Sequence, residues 1–296
     1  MVNISHLKTE TQNPRTLTLD RLPVNELLKI MNEEDRKCSE AVEEALPAIE
    51  EAVAHCVKSL RQDGRIIYVG AGTSGRMGVM DAVECLPTFS SENVVACIAG
   101  GNGAFVKAVE GAEDSKEGGR NDLINLELSS KDTVIGIAAS GRTPYVIGAL
   151  DYARQTGAKT VSVSCNKDAE ISKHADTAIE VDAGPEILTG STRLKSGTCQ
   201  KMILNMISTT SMVQIGKVYG NLMVDLKATN EKLVERSIRI VVKATGADRE
   251  TAVKTLKETG GAVKSAIVML KLNINKDEAE KRLKKADGFV YKAVGE

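Results

Sequence analysis

Between Arg65 and Glu84 the sequence reads RIIYVGAGTSGRMGVMDAVE, in which an apolar run breaks into glycine and hydroxyl residues and resumes as an apolar, helix-like stretch. Gly70, Gly72 and Gly75 satisfy the G-x-G-x-x-G spacing, which sets backbone N–H groups and a helix N-terminus against an anion. A dinucleotide site needs an acidic residue about twenty positions on, at the end of the next strand, to hold the ribose hydroxyls. Gly100 and Gly101 stand there instead. A nucleotide P-loop needs a lysine and a magnesium-binding hydroxyl after its last glycine. Arg76 and Met77 replace them, so both nucleotide readings are weakened.

A second loop points to another phosphate. Ser74, Gly75 and Arg76 are echoed by Ser140, Gly141 and Arg142, followed by Thr143, and a third hydroxyl-rich segment from Thr189 to Thr198 adds Ser191, Thr192, Arg193 and Lys195. Hydroxyls, loop N–H groups and helix N-termini favour a phosphate without a large basic patch. One such loop is ordinary turn chemistry; three favour a phosphorylated small molecule.

The elements that must carry these loops read as alternating strands and helices. RIIYVG (65–70), NVVACIAG (93–100), DTVIGIAAS (132–140), AKTVSVSC (158–165) and TAIEVD (177–182) are short β-branched runs bounded by glycine, serine or asparagine. Each intervening segment has room for one helix, which predicts a five-stranded parallel sheet covered on both faces. Ligands of such sheets bind at the carboxyl ends of the strands, where the loops lie. Before the sheet, Val42, Leu46, Ile49, Val53, Cys56 and Leu60 form one helical stripe across 34–62, with Pro47 in a first turn or at a kink. After it, an apolar helix is expected over 202–224, followed by amphipathic helices closed by glycine or asparagine, with Val263, Ala266, Ile267 and Leu270 on one face. The expected organisation is an N-terminal helical segment (1–54), an α/β domain (55–230) and a C-terminal helical bundle (235–296).

Composition removes several functions. The 296 residues carry a formal net charge of -1 and only 3% aromatic residues, so neither a global basic field nor a base-stacking platform points to nucleic acid. No apolar run approaches the roughly 20 residues of a membrane span, and the polar start lacks the order of a secretory signal, which predicts a cytoplasmic protein. Six scattered cysteines and three separated histidines lack metal spacing, so no bound metal is expected.

The βαβ core with a TSGR or SGRT loop after two strands resembles the sugar isomerase (SIS) phosphosugar-binding domain, a flavodoxin-like fold. In detail GAGTSGRMGVMDAVECLPTF, IAGG, AVEGAEDS, GIAASGRTPYV, GPEILTGSTRLKSGTCQK and GKVYGNLMVD, with the earlier TETQNPRT, resemble the N-acetylmuramic acid 6-phosphate etherase family almost end to end. Leu86 departs from an expected proline, and Met77 and Met80 from the usual aliphatic residues. The related glucokinase regulatory protein shares the architecture but is a binder rather than an enzyme.

The resemblance implies cleavage of the lactyl ether at carbon 3 of N-acetylmuramic acid 6-phosphate, in amino-sugar catabolism of cell-wall peptidoglycan. In the open-chain sugar the ether is β to the aldehyde. Removing the carbon 2 proton therefore allows lactate to be eliminated, and water then adds to the double bond. That chemistry needs a base, an acid and a phosphate anchor, with no cofactor. By the resemblance Glu84 is the acid to the lactate oxygen and Glu113 the base. The same resemblance places Gly72, Thr73, Ser74, Gly75, Ser140, Gly141, Arg142, Thr143, Glu186, Ser191, Thr192 and Lys195 around the substrate. It further implies a homodimer with sites near the subunit interface, its apolar surface offered by the helices at 34–62 and 202–224, and a ubiquitin-associated-like C-terminal domain. A phosphosugar-sensing regulator, which would not need the glutamates, and an aldose–ketose isomerase are the alternatives on the same fold.

Overall fold

The computed structural model describes residues 7–107, 109–226 and 231–296. The outer ends of the expected segments 1–54 and 55–230, together with His6, lie outside the described residues. The chain divides into two compact units, one of Met1–Ala82 with Asn93–Ser208 and one of Val83–Glu92 with Thr209–Glu296.

In the first unit, helices α1 (Val24–Asp35), α2 (Lys37–Glu44) and α3 (Leu46–Arg61) precede the sheet. The single helix expected across 34–62 is broken at Ala45, whose φ of -93° and ψ of 0° close α2, and Pro47 takes the first turn of α3, where its missing N–H leaves no helical bond unmade. The stripe is otherwise inward: Val42, Ile49, Val53, Cys56 and Leu60 are buried, whereas Leu46 is exposed.

Strands β1 (Ile66–Gly70), β2 (Val94–Ile98), β3 (Thr133–Ala138), β4 (Lys159–Ser164) and β5 (Thr177–Glu180) form one parallel sheet in the order β2-β1-β3-β4-β5. The register sets Ile66 beside both Val94 and Thr133, so β1 lies between β2 and β3. Chain direction across the sheet reverses there, and the connections leaving β1 and β3 diverge to open a crevice at their carboxyl ends. Every residue of β1 and β3 is buried, the signature of a strand covered on both faces.

Helix α4 (Gly72–Phe89) leaves β1, and α5 (Lys116–Asn125) and α6 (Pro144–Thr156) flank β3. The crossing of α5 and α6 is set by glycine. A Cβ on Gly119 would overlap the Tyr145 carbonyl, and one on Gly148 the Lys116 carbonyl. Beneath them Leu123, Val134, Val146, Ala149 and Leu150 fill one core at the sheet face.

Helix α7 (Lys195–Gln214) ends ten residues before the expected 224. Gly216, at φ +79°, closes it by donating its N–H to the Val213 carbonyl while Lys217 N–H reaches Met212. The apolar run then becomes an antiparallel ribbon of β6 (Val218–Tyr219) and β7 (Leu222–Met223), turned at Gly220 and Asn221.

The second unit holds that ribbon and α8 (Glu231–Thr245), α9 (Arg249–Glu258), α10 (Val263–Leu272), α11 (Lys276–Lys285) and α12 (Val290–Val294). Asp248 and Asn275 cap α9 and α11 through their side chains. Val241, Ala252, Ala266, Ile267 and Val290 are fully sealed in its own apolar core. Among the described residues no helix is long and apolar enough to cross a membrane.

Candidate functional site

The glycines of the first loop answer to packing. A Cβ on Gly75 would stand 2.7 Å from both the Gly70 carbonyl oxygen and Ile98 Cγ1, and one on Gly70 would stand 2.8 Å from Gly75 N. Gly72, at φ +52°, opens α4 immediately after the strand. The turn is therefore tight, and the first-turn N–H groups of α4 sit at the end of β1 with Thr73 and Ser74 among them.

The second loop is built likewise at the end of β3. A Cβ on Gly141, at φ +72°, would stand 2.5 Å from Ala169 Cβ; its N–H donates to the Ala138 carbonyl and its carbonyl accepts from Ile171 N. Thr143 then opens α6, whose first turn starts with Pro144, and the Thr143 carbonyl takes the N–H groups of Val146 and Ile147. Among the described residues the hydroxyls of Thr73, Ser74, Ser140 and Thr143 have no hydrogen-bond partner in the protein. Two helix N-termini and a set of open hydroxyls thus meet on adjacent strands, an arrangement that holds an anion.

The two arginines of the Ser-Gly-Arg echo lie in different surroundings. Arg76 is spent on the fold, its Nε donating to the Phe105 carbonyl at 2.8 Å and its Nη2 to Ala104 at 2.9 Å, which ties the first loop to the turn after β2. Arg142 is half-buried and lines a cavity of about 610 Å³ at the ends of β3 and β4, together with Ser140.

The expected site residues in and just before the third segment separate into two pairs. Ser191 and Thr192 are half-buried, and among the described residues their hydroxyls are unpartnered. Glu186 and Lys195 are sealed inside. Glu186 caps α7 by accepting Lys195 N at 2.9 Å, Ser196 N at 2.9 Å and the Ser196 hydroxyl. Lys195 Nζ donates to Glu34 at 2.8 Å and to the Ala183 carbonyl at 2.7 Å. Glu34, fully buried, also accepts from Arg15 and Lys37. Burial opposes its charge, but the hydrogen bonds of Lys195 and Lys37 outweigh this and hold the carboxyl at about 2.

The two glutamates are placed on different elements. Glu113 sits on the short turn Ala112–Asp114, after Gly111 at φ +75°, and is exposed. The turn packs against α6, and the Ser115 hydroxyl that follows caps α5 through Gly118 N. Glu84 lies on α4 twelve residues beyond Gly72, exposed beside the exposed Val83. What fixes α4 is a group that sequence reading missed. Asp81, 5% exposed, accepts from Tyr68 Oη at 2.8 Å, Asn205 Nδ2 at 2.6 Å and Ser208 Oγ at 3.1 Å. Nothing in DAVE marks the aspartate as the inward residue, since its partners on α7 lie 124 and 127 residues away.

The chain matches the glucokinase regulatory protein N-terminal SIS domain family over residues 48–154 and the SIS domain family over 115–212. A phosphoheptose isomerase structure from Neisseria gonorrhoeae shares the fold at a TM-score of 0.51 and 15% identity, covering 64% of this chain and 98% of that one. Over nearly full length the chain is similar to N-acetylmuramic acid 6-phosphate etherase 2 of Lactiplantibacillus plantarum, 60% identical across 99% of this chain and 100% of the relative. The N-acetylmuramic acid 6-phosphate etherase of Exiguobacterium sp. is 55% identical across 98% of this chain and 100% of its own. At that identity and coverage, the chain belongs to the N-acetylmuramic acid 6-phosphate etherase family.

Proposed function

We propose that this chain is a carbon–oxygen lyase that cleaves the D-lactyl ether at carbon 3 of N-acetylmuramic acid 6-phosphate, giving N-acetylglucosamine 6-phosphate and D-lactate. The observation that carries the reading is the set of unpartnered hydroxyls where β1 and β3 run into α4 and α6, in a chain 60% identical to an etherase. The phosphate takes the N–H groups and hydroxyls of Gly72, Thr73, Ser74, Gly75, Ser140, Gly141 and Thr143, with Arg142 beside it. Ser191 and Thr192 face the sugar, and Glu186 and Lys195 act through the segment they hold.

Glu113 removes the carbon 2 proton of the open-chain aldehyde. The electron pair left behind expels lactate from carbon 3, and Glu84 supplies the proton to the departing oxygen. Water then adds at carbon 3 and a proton returns to carbon 2, so the elements of water enter once and leave none over. Among the described residues both glutamates are free of protein partners, as groups that exchange protons with a substrate must be. The functional form is a homodimer with its sites near the subunit boundary, and a cytoplasmic location suits a phosphorylated substrate.

The test is incubation with N-acetylmuramic acid 6-phosphate in ¹⁸O-labelled water. Lactate release with label in the sugar product is expected. Binding without lactate would indicate a sensor, and sugar interconversion without lactate an isomerase; either result overturns the lyase reading.

A further inference from the structure

The amino-terminal segment crosses the carboxyl end of the sheet, and a single side chain clamps it there. Asn166 follows β4 and is 3% exposed. Its Oδ1 accepts Lys8 N at 2.7 Å and Thr9 N at 3.5 Å, while Nδ2 donates to the Thr9 hydroxyl at 3.2 Å and to the Ala139 carbonyl at 3.0 Å. Its own carbonyl is fixed by the Ser164 hydroxyl at 2.8 Å. Ala139 immediately precedes Ser140. One amide therefore joins the loop carrying Ser140 to a segment some 157 residues distant in sequence.

The segment continues to the third hydroxyl-rich loop. Asn13 Nδ2 donates to the Pro185 carbonyl at 3.3 Å, and the Thr16 hydroxyl to the Ile187 carbonyl at 2.8 Å. Thr9, Asn13 and Thr16 are polar yet buried, a placement that makes sense only with these partners satisfied. Leu7 and Lys8 also wall the cavity of about 610 Å³ into which Ser140 and Arg142 open.

We infer that the segment 7–16, through Leu7 and Lys8, walls the phosphosugar site on its Ser140 side and that Asn166 is its positioning residue, setting the Ser140 loop against the 183–192 loop. This rests on the phosphosugar reading for the ligand, whereas the clamp itself is independent of it. An amide is the group this place requires, because it must both accept two N–H groups and donate to a carbonyl. Asn166→Asp, nearly isosteric, replaces the donor by an oxygen facing the Ala139 carbonyl and the Thr9 hydroxyl.

Two measurements on the full chain separate the clamp from the ligand. Trypsin cleavage after Lys8 and Arg15 is expected to quicken about tenfold in N166D while global unfolding is little changed, since only a local opening is eased. Unchanged cleavage overturns the clamp. Calorimetry with N-acetylglucosamine 6-phosphate then reads the coupling. N166D should weaken binding about tenfold in the wild-type background but less than about twofold beside S140A, because its effect passes through Ser140. Equal losses in both backgrounds assign Asn166 a general structural role and overturn the inference. Should N166D fail to fold, T9V removes one bond of the clamp, that from Nδ2 to the Thr9 hydroxyl, and a smaller quickening of cleavage is expected; unchanged cleavage there overturns the clamp. A wild-type chain that binds no phosphosugar defeats the functional reading, and the cleavage rates still decide the clamp.

Discussion

At the residue scale, the buried Glu34 and the open hydroxyls represent opposite uses of polarity. Glu34 is surrounded by Arg15, Lys37 and Lys195, so its carboxyl is far more acidic in the folded chain than in the unfolded one. A carboxyl held low binds fewer protons folded than unfolded. Its contribution to stability is therefore whole above about 4.5, the ordinary value, and is lost as the pH falls toward 2. Glu34→Gln should flatten the stability profile in that window. At neutral pH it should destabilise the chain by about 3 to 5 kcal/mol, because Lys195 is left charged and buried. Urea denaturation at a series of pH values checks both. By contrast, Ser140→Ala breaks no hydrogen bond that the described residues make and should leave the denaturation midpoint within experimental spread. It should still weaken phosphosugar binding by about 1 kcal/mol or more, as loss of a hydroxyl to an ionised group does. Glu113→Gln and Glu84→Gln should keep that binding and lose turnover by roughly 10² to 10⁴. Wild-type turnover in either variant removes that residue from the mechanism.

At the scale of elements, the loops are held by close approaches that glycine permits. Gly148 shows which effect wins. In an ordinary helix interior, glycine to alanine stabilises by roughly 0.5 to 1 kcal/mol. Here the new methyl meets the Lys116 carbonyl, and overpacking of this kind costs about 1 to 3 kcal/mol. Gly148→Ala is expected to lower the melting temperature, a reversal that a scan against an exposed helical control would show. The five strands were legible from β-branched runs and their bounding turns, because burial on both faces leaves little else a sequence can do there. The echoed Ser-Gly-Arg marked the two loops that lead into α4 and α6, and Arg76 of the first binds carbonyls of the turn after β2. The run from Met202 to Val224 misled. An apolar stretch without period does not separate helix from ribbon, and Gly216 and Gly220 are the residues that settle it. Asp81, Asn166 and Glu34 were not legible, since each is held in part by a partner more than a hundred residues away and nothing local marks a polar side chain as inward.

At the scale of the whole molecule, the proposed homodimer makes a demand on the two glutamates. Helix α4 is unbroken from Gly72 past Glu84, which places Glu84 about 18 Å along the axis from the first turn. Its side chain leans back toward the N-terminus and recovers about 5 Å of that at most. In a hexose 6-phosphate, carbon 3 lies five bonds from phosphorus, less than about 7 Å at roughly 1.5 Å a bond. A substrate whose phosphate sits on the first turn of α4 would thus fall short of the Glu84 on that same helix, and in the proposed homodimer the acid is expected from the second copy. Complementation measures this directly. Chains carrying E84Q and E113Q, each inactive as a homodimer, are co-expressed with different tags and the mixed dimer is isolated. If the acid comes from the partner, one site of the mixed dimer keeps both glutamates and the other has neither, so the purified mixed dimer should show about half of wild-type turnover. If both glutamates of a site come from one chain, every site lacks one of them and the mixed dimer stays inactive. That outcome would return Glu84 to its own chain and require the phosphate to sit away from the first turn of α4.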